Sequence, residues 1–131
     1  MTFAVDRIDH VVLNCRDVQA SVAWYVRVLG MTSEVFSAGR TALRFGDQKI
    51  NVRPVGATGW VTAAVDAPGT LDLCFIADVA PDVVAAHLRE SGVEITEGPV
   101  RKIGAQGPMT SHYCRDPDGN LIEVASYLLA D

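Results

Sequence analysis

Runs of β-branched and apolar residues punctuated by glycine divide the chain into short elements whose order repeats. Arg7 to Cys15 (RIDHVVLNC) has the β-branched, mostly apolar character of a strand. Val18 to Leu29 then reads as a helix that Asp17 or Ser21 can cap, ending where Gly30 accepts a left-handed terminus. Met31 to Phe36, Thr41 to Phe45 and Lys49 to Arg53 follow as strands, separated by turns at Ala38-Gly39 and Gly46-Asp47. A Gly, Pro and Ala-rich connection runs from Pro54 to Gly69, after which Leu71 to Ala77 is again a strand. Pro81 opens a second helix through Glu90, closed by Ser91-Gly92, and Val93 to Thr96, Thr110 to Cys114 and Leu121 to Ser126 supply three further strands. Gly30 and Gly92 stand 62 positions apart, as do His10 and Asp72, so the pattern reads as an internal duplication of one β-α-β-β-β unit. Residues 98–109 (GPVRKIGAQGPM) read as a glycine-rich insertion in the second unit, a candidate lid or rim.

Side chains alternate faces along a strand, so polar parity can be followed from strand to strand. Val11, Leu13, Ile50, Val52, Leu73, Phe75, Ile122 and Val124 fall on apolar faces expected to pack beneath the helices. The opposite parity collects His10, Asp72, Glu123, Asn51 and Arg53, an unusual set for strands that otherwise look buried. His10, Asp72 and Glu123 offer one imidazole and two carboxylates, a ligand set suited to Mn²⁺, Fe²⁺, Zn²⁺ or Mg²⁺ that leaves positions open for a chelating substrate. The alternative is a hydrogen-bonded His10, with Asp72 and Glu123 ion-paired to Arg53. Arg53 has no lone pair to give a cation, but can clamp a carboxylate or phosphonate with its forked donors. Tyr113 alternates with His112 and Cys114 and can reach a cavity as a donor or sit at the edge of the core. Segment 115–120 (RDPDGN) has the chemistry of a turn: Pro117 presets φ, Asp116 and Asp118 cap, and Gly119 supplies positive φ.

At 131 residues and a net charge of −5, with no Lys/Arg run, the chain has the size of one domain and lacks the electrostatic footprint of a nucleic-acid or anionic-membrane binder. It shows neither an apolar run of about 18 residues nor a secretory pattern at MTFAVDRIDH. Three cysteines without CxxC spacing give no disulfide framework, and the expectation is a cytoplasmic protein with free thiols. No cysteine has a sequence-local base, His87 sits on a polar helix turn, and no phosphate-cradling glycine motif or serine elbow is present.

RDPDGNLIEV after a long hairpin, IDHVVLNCRD near the N-terminus and a helix ending YVRVLGM together resemble the vicinal oxygen chelate superfamily, which includes glyoxalase I, fosfomycin- and bleomycin-resistance proteins and extradiol dioxygenases. FGDQKIN, PGTLDLCFIADV and EGPVRKIGAQGPMTSHYCRDPDGNLIEVASY are similar to the small glyoxalase-domain-containing-5-like proteins, and the likeness covers residues 7–128. The resemblance implies an α+β fold: one domain over 1–131 made of two tandem βαβββ modules (about 5–54 and 70–128, linker 55–69) forming an open curved barrel around a cavity, in a homodimer. It further implies that His10, Asp72 and Glu123 hold one divalent ion (Fe, Mn, Zn, Ni or Mg), although relatives of this type often have histidine at the places of Asp72 and Arg53. The function so implied is a metal-dependent lyase, isomerase or dioxygenase acting on a small, oxygen-rich, chelating substrate, with Glu123 and Tyr113 catalytic and Arg53, Asn51 and His112 binding substrate. The rival is a metal-free protein that sequesters a small molecule, with Trp60, residues 61–65 and residues 98–109 as an apolar wall; Trp60 also fits a dimer contact or loop anchor.

Overall fold

The computed structural model describes residues 2–128. By backbone contacts the chain divides into two compact units, 1–67 and 68–131, each with its own sheet and helix.

In the first unit the order is β1 (His10–Cys15), α1 (Val18–Leu29), β2 (Thr32–Phe36), a 3-10 turn at Ser37–Gly39, β3 (Arg40–Phe45) and β4 (Gln48–Pro54). The sheet order is β1-β4-β3-β2, with β1 parallel to β4 and the other pairs antiparallel. Asp17 caps α1 by accepting from the Ala20 N–H at 3.1 Å, and Gly30 closes it at φ 69°, a left-handed conformation that a side chain would disfavour. Ser21, Trp24, Tyr25 and Val28 recur at helical spacing and are buried, with Trp24 edge-on to Tyr25 at 4.9 Å. Leu13, Leu43, Ile50 and Val52 supply the sheet side of this core. The first strand starts at His10, later than the apolar pattern implies, because the parallel register begins at His10↔Lys49 and leaves Arg7 to Asp9 without a partner strand.

The second unit repeats the plan: β5 (Asp72–Ile76), α2 (Pro81–Glu90), β6 (Glu97–Gly104), β7 (Gly107–Arg115) and β8 (Leu121–Ser126), in sheet order β5-β8-β7-β6. β5 is parallel to β8, and Pro81 occupies the first turn of α2. Pro81, Val84, Ala85 and Leu88 form the buried stripe of α2, and Ile122, Val124 and Cys114 face them from the sheet. Asp116 holds the β7–β8 turn: its carboxylate accepts from the Asp118 and Asn120 N–H groups, each at 2.9 Å, and from the Asn120 side-chain amide at 2.7 Å. Asn120 in turn accepts from the Leu71 N–H at 2.9 Å, which fixes the entry to β5. Among the described residues no helix is long and apolar enough to cross a membrane.

The expected lid at residues 98–109 is instead the β6–β7 hairpin, and the short strand expected at Val93 to Thr96 is a lead-in outside the sheet. Glycine and proline argue for a loop only where a strand needs every N–H, and β6 is the edge strand, with a register shift between Glu97 and Val100 where Gly98-Pro99 sits. Gly98 has φ 131°, and a Cβ there would lie 2.8 Å from both His112 Cδ2 and the Ser111 carbonyl oxygen. Gly98→Ala is therefore expected to destabilise the protein by roughly 1–3 kcal/mol through backbone strain and the forced approach, read as a lower thermal midpoint. An unchanged midpoint would show that the hairpin tolerates the shift.

Candidate functional site

Each sheet buries one face against its helix and presents a polar face on the other side. In the first unit the register aligns His10, Val12 and Asn14 of β1 with Lys49, Asn51 and Arg53 of β4, and these with Ala42 and Arg44 of β3. Arg53, near the end of β4, is 4% exposed. Its Nη1 donates to Asn14 Oδ1 at 2.9 Å and to Asp66 Oδ2 at 3.0 Å, and its Nη2 to the Ala57 carbonyl at 2.8 Å. The ion-pair partner is thus Asp66 rather than Asp72 or Glu123, the partners weighed from strand parity; Asp66 lies in the connection, to which parity does not apply. Two N–H groups of Arg53 remain, and Nε has no hydrogen-bond partner among the described residues. Asn51, two positions away on the same strand face and 7% exposed, likewise has its Oδ1 unpaired. A buried donor and a buried acceptor without partners on one strand face are costly unless a ligand or solvent meets them.

The connection is bound to this face. Asp66 also accepts from the Gly56 N–H at 3.0 Å, Asn14 donates to Thr62 Oγ1 at 3.4 Å, and Arg40 donates to the Gly59 carbonyl at 2.9 Å while its guanidinium covers the Trp60 ring at 4.2 Å. Trp60 is thereby a loop anchor. On the same sheet Lys49 stands over Phe36 at 3.9 Å and Arg44 pairs with Glu34 at 2.8 Å. His10 is exposed at the rim, where its Nδ1 meets Asp9 Oδ1 at 2.8 Å; Asp9 is held below the ordinary carboxylate value first by that bond. With Nδ1 so engaged, Nε2 is the nitrogen left to accept a proton or bind a cation.

In the second unit Glu123 gathers the chemistry. The register places Cys74 and Tyr113 beside it on β5 and β7, and the buried Ser111 donates its hydroxyl to Glu123 Oε2 at 2.6 Å. Partial burial, followed by the Glu123 charge, pushes the thiol of Cys74 up to about 11 and the hydroxyl of the half-buried Tyr113 up to about 12. Both stay protonated at neutral pH, so the carboxylate sits among groups that can donate hydrogen bonds to it without adding negative charge. Ser111 was not singled out by sequence reasoning; its parity with Tyr113 along β7 was the available signal. Asp72 lies exposed on the same face, at the start of β5. His112 does not join this group: its register partner is Val124, on the helix face, and it is buried beneath α2. Among the described residues, no three His, Cys, Asp or Glu side chains converge as a metal cluster.

The glyoxalase/bleomycin resistance protein/dioxygenase family model matches residues 7–124. The chain belongs to this superfamily. It is 44% identical over 124 residues to the glyoxalase domain-containing protein RDO1 of Mycosarcoma maydis, a match spanning 95% of this chain and 70% of that one. To virulence protein STM3117 of Salmonella typhimurium it is 42% identical, over 95% of this chain and 86% of the relative. The solved integron cassette protein VCH_CASS1, from the mobile metagenome of V. cholerae, superposes on this superfamily member with a TM-score of 0.95 at 44% identity, covering 98% and 100% of the two chains. These matches confirm the α+β, paired βαβββ reading.

Two outcomes test these faces. Alkylation of Cys74 by iodoacetamide should follow a thiol titrating at about 11, and Glu123→Gln should bring that value down while leaving it above the ordinary range, since burial is the larger cause; an unchanged profile would remove Glu123 from the thiol's surroundings. Asp66 is held below its ordinary value first by the Gly56 N–H and then by Arg53, so its contribution is present above the unfolded carboxyl pKa and lost as pH falls through the folded one. The stability difference between wild type and Asp66→Asn, measured by urea unfolding, should therefore shrink between about pH 7 and about pH 3. A difference that holds constant would mean the carboxylate's charge contributes nothing.

Proposed function

We propose that the protein acts on a small, oxygen-rich molecule, with His10, Asp72 and Glu123 as ligands of one divalent cation (Fe, Mn, Zn, Ni or Mg) and with the protein working as a cytoplasmic homodimer. The observation that carries this reading is the preparation of its donors. Asp9 takes His10 Nδ1 and leaves Nε2 free, and Ser111 fixes one oxygen of Glu123, the carboxylate contacts that orient ligating groups in metal sites. One nitrogen and two carboxylates fit a borderline-to-hard divalent ion. A bound cation would supply Lewis-acid polarisation of two neighbouring substrate oxygens.

The remaining steps belong to this chain's own side chains. Glu123 is a ligand first and serves as a base only when it leaves the cation during turnover; it then takes a proton from a carbon or hydroxyl made acidic by an adjacent carbonyl. Tyr113, kept protonated by burial and by Glu123, donates a hydrogen bond to a developing oxyanion, and Glu123 returns the proton it took. Asn51 Oδ1 and Arg53 Nε offer an acceptor and a donor to the substrate's polar groups. Arg53 binds here through its side edge and not as a free fork, because Asn14, Asp66 and Ala57 take three of its donors.

A second reading is metal-free capture of a small molecule, favoured by the absence of a convergent three-donor cluster among the described residues. Elemental analysis of protein purified without a metal-affinity tag separates the two. About one equivalent of a divalent metal per chain, lost in both His10→Ala and Glu123→Ala, is the expected result. Protein that stays metal-free after incubation with each ion would overturn the metal reading and leave capture through Asn51 and Arg53.

A further inference from the structure

On the opposite side of the second sheet from Glu123, α2 does not close completely onto β6 and β7. A cavity of about 280 Å³ remains, lined by Pro81, Asp82, Ala85 and Arg89 of the helix and by Pro99, Thr110 and His112 of the strands. Most of its wall is apolar. His112 is 2% exposed, yet its Nδ1 has no hydrogen-bond partner among the described residues. Its ring is held in place from behind, where Gly98 packs so closely that a Cβ would lie 2.8 Å from Cδ2. Burial and then the Arg89 charge lower the imidazole pKa, so the ring presents itself neutral, with one N–H to give. An unpaired nitrogen is costly in a core, and a ring so placed on the wall of an otherwise apolar cavity supplies the polar group that orients a ligand in such sites.

The helix supplies a charge gradient along the cavity. Asp82 and Arg89 are seven residues apart on one side of α2, hence separated by about 10 Å along its axis. The Arg89 end attracts one anionic group, and the Asp82 end repels a second. We infer that this helix-side cavity is a binding site for a small monocarboxylate with an apolar body, its carboxylate meeting Arg89 and the His112 ring, and its body lying against Pro81, Ala85 and Pro99. The inference does not rest on the Glu123 cluster or on any metal, since His112 faces away from both Tyr113 and Glu123 in the β7–β8 register.

The test is a titration of ¹⁵N-labelled full-length protein with sodium benzoate, followed at the Ala85, Arg89 and Thr110 amides and at the His112 ring nitrogens. Benzyl alcohol serves as the neutral comparison and terephthalate as the doubly charged one. Saturable shifts at these positions with benzoate are expected, with about tenfold weaker binding of both comparison compounds and about tenfold weaker binding of benzoate to Arg89→Gln. Arg89 is exposed, so this variant should keep the wild-type spectrum elsewhere. The proposal is overturned if benzoate shifts none of these signals, if it shifts only residues around Glu123 or Arg53, if benzyl alcohol or terephthalate binds as well as benzoate, or if Arg89→Gln leaves the affinity unchanged.

Discussion

Each unit is closed by one parallel pairing between its first and last strands, β1 with β4 and β5 with β8. A parallel pair cannot be made by a tight turn, so the chain must travel through a helix and two further strands before the pairing can form. The helix then lies on one side of the sheet, which becomes the core. The other side is free of the helix and collects every polar residue of the same parity. Fold and polar face are two results of this one constraint.

The polar faces are stabilised differently. In the first unit the buried guanidinium of Arg53 ties β1, β4 and the connection together, so removing it would leave Asp66 and Asn14 without their shared donor. In the second the organising group is an anion, Glu123, surrounded by a hydroxyl, a phenol and a thiol. A fixed cation suits holding and a carboxylate suits proton transfer. The duplicated scaffold thus carries complementary chemistries on equivalent faces, even though the two sequences share pattern rather than identity.

Most of the fold was legible because it was written in local signals: Asp17 before α1, Gly30 after it, Pro81 opening α2, and alternating parity along β1, β4, β5 and β8. What could not be read depended on partners remote in sequence. Gly98-Pro99 resembles a loop until the strand bearing it is known to be an edge. Asp66 sits in a connection without periodicity, so nothing local joins it to Arg53. His112 and Tyr113 are neighbours in sequence but face opposite sides of one strand, and which side is the core follows from the helix. Parity put His10, Asp72 and Glu123 on polar faces; it carries no information on whether they share a cation, and the β7–β8 register is what sets Tyr113 beside Glu123.

Tyr127 illustrates how far one hydroxyl can reach. It follows β8, and its Oη accepts the Gln106 N–H at 3.0 Å at the tip of the β6–β7 hairpin, where Gly104 makes room for the ring. The tip of that hairpin and the end of the last strand are therefore mechanically one piece. A fusion or truncation placed just beyond Ser126 would be felt at Gln106, about twenty residues earlier in the chain, as a loosened edge strand. In this protein the residue that follows β8 is a handle on the edge of the second sheet.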